Sequence, residues 1–453
     1  MANNGLSTVQ ASGNGAVRRY HVMVKPIGSL CNLDCTYCYY LHKEQLLGSN
    51  SNFRMSDEVL ETHIRQYIEG QDGDEVVFSW QGGEPTLLGF PFFEKVMALE
   101  QKYKRAGQRI ENDLQTNGIL LDDEWCRFLK QHRFLVGLSI DGPEELHDAY
   151  RRSKGGQPTF KKVFAAAELL HKHGVGFNTL TVINRLNATR PLDVYRFISR
   201  EVRPHELQFI PCVEPKVFQS SAPQQWDPAS LPQLGSTAAR PGNSDSVVTD
   251  WSVDPEDWGK FLCKVWDDWY ARDYGKVFVN LFETAVAQWM GMESQVCIYH
   301  EFCGKGLALE HDGSVYSCDH YVYPAYRLGN NLQTSSAELV VSERQKSFGF
   351  GKFLSLPACC RECKYLFACN GECPKNRLLR TAEGDVGLNN LCVGLRKFWE
   401  HIDPVMPEIT RKVRAEGQAP DRQLVNSTIK GWPARSHRHF GRRSALRRGE
   451  PSS

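Results

Sequence analysis

From Tyr20 onward, short apolar runs alternate with longer amphipathic stretches, the rhythm of repeated βα units built around a parallel sheet. Six runs read as strands: 21–25, 75–80, 110–115, 134–140, 176–182 and 206–210. Helical periodicity falls between them at 92–105, 122–132, 159–173 and 192–202, and again at 255–272. The predicted fold class is therefore α/β, with six strands forming an open, partial (β/α)6 TIM-type barrel. In such barrels the reactive groups collect at the strand C-termini. Polar motifs stand at those points: Gln81-Gly-Gly-Glu-Pro85 after the second strand, Thr116-Asn-Gly118 after the third and Asp141-Gly142 after the fourth.

Composition narrows the class further. The chain has 453 residues, a net charge of +1 and 24% charged residues, so nothing in its balance favours nucleic acid or an anionic membrane surface. No run approaches the roughly 18 apolar residues of a membrane helix, and Met1 to Tyr20 is polar and lacks an export core. The expectation is a cytoplasmic monomer with no nucleic-acid or membrane partner. Fifteen Cys, an odd number in a large chain, fit metal ligation in a reducing compartment better than a disulfide framework.

The expected organisation is a disordered leader over 1–18, a barrel core over 19–218 and a variable, weakly ordered insertion or linker over 219–254. A connecting helical segment follows over 255–296, then a Cys-rich domain over 297–405. The chain ends with a helix and a basic disordered tail over 406–453, where residues 431–453 hold six Arg and one Glu.

The first candidate chemistry is the loop Cys31-Asn-Leu-Asp-Cys35-Thr-Tyr-Cys38, which sets three thiols close together just after the first strand. A cuboidal iron-sulfur cluster takes four donors, so three thiolates leave one iron open to a small molecule. A zinc knuckle is the alternative, although zinc favours four closed ligands in C-x2-C pairs. A second group lies near the C-terminal end, in the pattern Cys297-x5-Cys303-x14-Cys318, then Cys360-x2-Cys363-x5-Cys369-x3-Cys373, with Cys392 beyond. Eight thiols make two complete four-Cys sites, suited to clusters that store and pass electrons or to structural zinc.

The C-x3-C-x2-C loop with its aromatic residue, together with Gly-Gly-Glu-Pro, resembles the signatures of radical S-adenosylmethionine (SAM) enzymes. That resemblance implies a 4Fe-4S cluster held by Cys31, Cys35 and Cys38, with SAM on its open iron. It also implies SAM contacts from Tyr37, Gly82, Gly83, Glu84, Ser139, Asp141 and Arg151, the last suited to pairing with the SAM carboxylate. The second group resembles the SPASM domain of radical SAM peptide-modifying enzymes. Carried over by position, one auxiliary 4Fe-4S cluster takes Cys297, Cys303, Cys318 and Cys373, and the other takes Cys360, Cys363, Cys369 and Cys392. Cys359 is a rival to its neighbour Cys360. Cys126, Cys212 and Cys263 read as core thiols.

Within that superfamily the stretch 20–404 most resembles the anaerobic sulfatase-maturating enzymes, on Cys31 to Tyr40, Trp80 to Gly89, Val315 to His320 and Tyr365 to Lys375. The resemblance implies oxidation of a Cys or Ser in an unfolded sulfatase carrying a C/S-x-P-x-R-type motif to Cα-formylglycine, with electrons from a donor such as flavodoxin or ferredoxin. It makes Asp319 the base and Gln81 and Tyr40 substrate contacts, whereas residue type alone would let Asp319 cap the turn at Gly313 and Ser314. The rival functions are a SPASM maturase that forms thioether or carbon-carbon crosslinks and, in another class, a non-catalytic iron-sulfur or zinc protein.

Overall fold

In the computed structural model, residues 20–43, 46, 53–294 and 296–418 are described. The expected leader and nearly all of the basic tail lie outside them. Six strands run parallel in spatial order: β1 (His21–Lys25), β2 (Glu75–Trp80), β3 (Arg109–Thr116), β4 (Leu135–Ser139), β5 (Phe177–Ile183) and β6 (Glu206–Pro211). They coincide with the six sequence runs to within a residue. The sheet is wider than those runs, however, with ten strands. β7 (Phe278–Val279) lies beyond β6. On the other edge β8 (Gly306–Glu310) pairs in parallel with β1, from His21 opposite Gly306 to Lys25 opposite Glu310. β9 (Ser314–Tyr316) and β10 (Arg327–Asn330) continue antiparallel. These four strands are short and lack a long apolar run, which hides them from periodicity.

Alternation along the strands sorts residues to two faces. In β5 buried and half-buried positions alternate without a break. The buried set packs under helices such as α1 (Asp57–Gly70), α2 (Phe90–Tyr103), α3 (Asp123–Gln131) and α4 (Phe160–His173). Ser56 caps α1 by accepting the Val59 N–H, and Asp122 caps α3 by accepting from Trp125. The other face carries polar side chains such as Asp113, Gln115 and Ser139, which line the open barrel.

The insertion departs from expectation, being ordered rather than weakly held. Lys216 N–H donates to Val247 O, Thr249 N–H to Glu214 O and Val253 N–H to Cys212 O, while Val248 and Ser252 are fully buried. Its Ser, Pro and Gly composition gives few apolar anchors. The missing anchors are three aromatic rings from elsewhere: the Tyr323 hydroxyl donates to Phe218 O at 2.6 Å, Tyr326 to Pro223 O at 2.9 Å and Tyr321 to Gln224 Oε1 at 3.4 Å. Order supplied by distant residues leaves no local signature.

Helix α5 (Pro255–Arg272), which follows the insertion, crosses α6 (Cys392–Ile402), and the two approach backbone to backbone at Gly259 and Gly394. A Cβ on Gly394 would lie 2.0 Å from Pro255 O. Alanine gains up to about 1 kcal/mol of helix propensity over glycine. A backbone clash cannot be relieved by rotating a side chain, and overpacking costs about 1–3 kcal/mol or more. Gly394→Ala is therefore expected to destabilise the protein by about 1–3 kcal/mol, seen as a lower denaturant midpoint; an unchanged midpoint would refute the close crossing.

Candidate active site

The three-thiol loop leaves β1 and is tied down from two sides. Asp34 N–H donates to Arg152 O and Thr36 N–H to Tyr150 O, which bind it to the segment after β4. From the other side the turn after β2 docks on it: Gly83 N–H donates to Gly28 O and Glu84 N–H to Leu30 O. A Cβ on Gly83 would sit 1.9 Å from Leu30 O, so only glycine lets the two backbones meet. The Cβ direction of Gly83 is thus taken by Leu30 and Ser29 at the start of the cysteine loop, and that of Gly82 by Gly28 and Lys25. Gln81 N–H donates to Val24 O and continues this anchoring on β1.

Glu84 fixes the turn itself. Fully buried, its carboxylate accepts from the Thr86 N–H and hydroxyl, the Thr116 hydroxyl and the Asn117 N–H, which pins the turn to the end of β3. Burial raises its pKa, and these donors oppose that rise. Asn117, in the polar motif after β3, then reaches the loop, with its amide 2.7 Å from Asn32 Oδ1 and 3.7 Å from Cys31 Sγ. Its only sequence signal was its place after a barrel strand.

Asp141, Arg151 and Tyr37 form one buried group. Arg151 Nε donates to Asp141 Oδ2 at 2.9 Å, the Tyr37 hydroxyl donates to the same oxygen, and Val182 N–H donates to Oδ1. The Arg151 guanidinium lies 5.4 Å from the Tyr37 ring centroid. Asp141 thus accepts from three protein donors and orients Arg151, whose charge acts on Cys35. Ser139 accepts from Gln115 at 2.9 Å on the barrel lumen.

Burial pushes the Cys31 and Cys35 thiols up to about 11 and about 12 and raises Cys38 as well. Such thiols stay protonated until a metal displaces the proton. The two other cysteine sets are also each brought together. After burial, the main influences raising Cys318 are Cys297, Cys373 and Cys303; those acting on Cys392 are Cys369, Cys359 and Cys363, and Cys360 is raised chiefly by Cys392. Cys359 is exposed, whereas Cys360 and Cys392 pack against buried Leu379 and Leu388. Among the described residues, no three His, Cys, Asp or Glu side chains gather closely enough to hold a single ion. All-thiol sets of three and four are the donor chemistry of iron-sulfur clusters, the three-thiol loop leaving one iron open.

Between the first and second thiol sets stands Asp319. Lys25 at the end of β1 forms an ion pair with one carboxylate oxygen, and the Tyr39 hydroxyl donates to the other. Burial alone would raise this carboxyl, but Lys25, His320 and the Tyr39 hydrogen bond overcome it and hold the group down at about 2. Turn capping falls instead to Asp312, which accepts from the Ser314 N–H at 2.9 Å. Tyr40, expected at the substrate, is buried with its hydroxyl on Glu310 and Lys25 4.6 Å from its ring centroid. Lys25, Tyr39 and Glu310 were not singled out in the sequence, because their partners lie about 280 residues away for Tyr39 and as far for the others. A cleft lined by Tyr39, His320, Phe218, Trp226, Tyr323 and Glu214 opens beside this group.

A barrel carrying a three-thiol loop, joined to a domain with two four-thiol sets, defines a radical SAM protein with an iron-sulfur domain. Family models agree: the Radical SAM superfamily matches residues 26–198 and the SPASM iron-sulfur cluster-binding domain matches 297–364. A serine-type anaerobic sulfatase-maturating enzyme of Bacteroides thetaiotaomicron is 46% identical over 400 residues, 88% of this chain and 93% of that protein. A cysteine-type counterpart from Clostridium perfringens is 33% identical over 87% of this chain and 99% of its own length. The solved structure of native anSMEcpe with bound AdoMet and Cp18Cys peptide superposes with a TM-score of 0.73 at 32% identity, covering 87% of this chain and 99% of that one. The chain belongs to the anaerobic sulfatase-maturating enzymes. No helix among the described residues is long and apolar enough to cross a membrane.

Because a Cβ at Gly83 would strike backbone, Gly83→Ala is expected to push the cysteine loop away from β2. The reconstituted variant should lose the SAM-induced change in its EPR spectrum while keeping the iron of the other two thiol sets. A wild-type SAM response would show that the docking is dispensable.

Proposed function

We propose that this enzyme oxidises a Ser or Cys side chain in an unfolded sulfatase polypeptide, within a C/S-x-P-x-R-type motif, to Cα-formylglycine. The observation that carries the proposal is Asp319: one ionised, buried carboxylate standing between the three-thiol loop and Cys318. In this reading Cys31, Cys35 and Cys38 hold a 4Fe-4S cluster and Arg151 pairs with the carboxylate of SAM. Cys297, Cys303, Cys318 and Cys373 hold one auxiliary cluster, and Cys360, Cys363, Cys369 and Cys392 hold the other. Bound SAM, cleaved with one electron from a low-potential donor such as flavodoxin or ferredoxin, supplies a 5′-deoxyadenosyl radical that takes a hydrogen atom from the target Cβ.

The protein's own part is to finish a two-electron oxidation. A carbon radical beside oxygen or sulfur acidifies the attached proton, so even a carboxylate with a low pKa can accept it when positioned within hydrogen-bond reach. Asp319 takes that proton as the remaining electron passes toward Cys318. Serine then yields the aldehyde directly, and cysteine yields a thioaldehyde that water converts to the aldehyde with release of hydrogen sulfide. Lys25 and Tyr39 hold Asp319 ionised and aimed until the peptide arrives. The aromatic cleft beside it, walled by the insertion, excludes water from the radical. Gln81 at the end of β2 is the peptide-positioning residue on the barrel side.

Anaerobic incubation of the reduced, reconstituted enzyme with SAM and peptides carrying Ser-x-Pro-x-Arg or Cys-x-Pro-x-Arg tests the reading. Mass spectrometry should find the aldehyde peptide and an equivalent of 5′-deoxyadenosine, with the serine peptide accepted, as the serine-type relative at 46% identity leads one to expect. If 5′-deoxyadenosine forms and both peptides stay unmodified, the formylglycine assignment is wrong.

A further inference from the structure

Two cations in the Cys-rich domain are buried and bonded to neutral oxygens rather than to a carboxylate. Lys352, 1% exposed, donates its ammonium to Cys297 O at 3.1 Å and Ile298 O at 2.8 Å. Arg377, 4% exposed, donates to Lys352 O at 2.6 Å, the Ser355 hydroxyl at 2.8 Å, Gly371 O at 3.2 Å and Asn370 O at 3.3 Å. Neither is among the ion pairs of the described residues. The nearby carboxylate Glu372 acts on both but accepts its hydrogen bonds from Asn376 and Asn389, so at most one negative charge stands against two cations. Burying an unpaired cation costs several kcal/mol, so such groups are retained where a countercharge exists.

The surroundings indicate where that countercharge lies. The thiols acting on Arg377 are Cys360 and Cys373, one from each of the two four-thiol sets. Lys352 acts on Cys297 and Cys303 of one set and on Cys369 of the other. Arg377 also bonds the carbonyls of Asn370 and Gly371, which lie between Cys369 of one set and Cys373 of the other. A cluster with four thiolate ligands is anionic and becomes more so on reduction. A fixed buried cation next to it therefore favours the reduced form.

We infer that Arg377 and Lys352 are the countercharges of the two auxiliary clusters, with Arg377 shared between them, and that they hold both clusters ready to accept the electron that leaves the substrate. The inference rests on the cluster assignment of the proposed function and adds to it the residues that set the clusters' potentials. Both are positioning residues, since they touch carbonyls of the ligand loops and reach the clusters only through charge.

The test uses the full chain with Cys31, Cys35 and Cys38 replaced by Ala, so that only the auxiliary signals remain, reconstituted and titrated by EPR against redox mediators. Arg377→Met should lower the midpoints of both signals, with the reduction equilibrium falling about tenfold, 59 mV for one electron. Arg377→Lys should stay near the parent, and Lys352→Met should lower chiefly the signal of the Cys297 set. Midpoints unchanged in Arg377→Met at parental iron content would overturn the inference and leave the cluster assignment standing. A parent with no iron or sulfide would overturn the assignment and the inference together. Should Arg377→Met fail to hold iron, Lys352→Met decides alone, an unchanged Cys297-set midpoint counting against the inference.

Discussion

The parallel ladder between β1 and β8 is the constraint on which the site depends. Five residue pairs, from His21 with Gly306 to Lys25 with Glu310, join the start of the barrel to a segment almost 300 residues later. The ladder ends with Lys25 and Glu310 side by side, at the point where β1 runs on toward the three-thiol loop and β8 toward Cys318. Register does the rest. A slip of one residue would turn every side chain of β8 to the opposite face. Lys25 would then miss Asp319, and Glu310 would miss Tyr40. The two cysteine regions, far apart in sequence, are therefore brought into one site by backbone pairing, with side-chain contacts refining the fit.

Around that ladder the protein assigns its buried charges to distinct tasks. Glu84 fastens the turn after β2 to β3, Asp141 fastens Arg151, and Glu310 takes the Tyr40 hydroxyl. Each of these carboxylates ties together two parts of the chain. Asp319 differs in place rather than in partners: held by a lysine and a phenol, it adjoins Cys318 of the second thiol set and is bonded to Tyr39, next to Cys38 of the first. In the proposed function that position lets a substrate hydroxyl or thiol displace one of the two partners and give its proton to the ionised carboxylate.

Much of this was legible in the chain. The strands gave themselves away by apolar runs between amphipathic helices, and the thiol sets by spacing, since both signals are local. What stayed hidden was long-range. The four short strands that widen the sheet carry no periodicity of their own, and the insertion is ordered by hydroxyls of Tyr321, Tyr323 and Tyr326 about 100 residues away. The motif residues carry structural contacts that their spacing does not announce. Gly83 and Glu84 dock on the cysteine loop, and of the adjacent tyrosines after Cys38 one, Tyr39, meets Asp319 while the other, Tyr40, meets Glu310. Neighbouring residues of one type differ only in the direction they face, and that direction is fixed by partners on β8 and beyond.

The claim that Asp319 completes an oxidation begun elsewhere is tested most directly by following the two hydrogens separately. Asp319→Asn is incubated anaerobically with SAM and a target peptide deuterated at the Ser Cβ, and both products are read by mass spectrometry. The account predicts that deuterium still appears in 5′-deoxyadenosine while aldehyde formation falls by about 10²–10⁴-fold, the range for loss of a positioned base. Aldehyde formed by Asp319→Asn at the wild-type rate would contradict it.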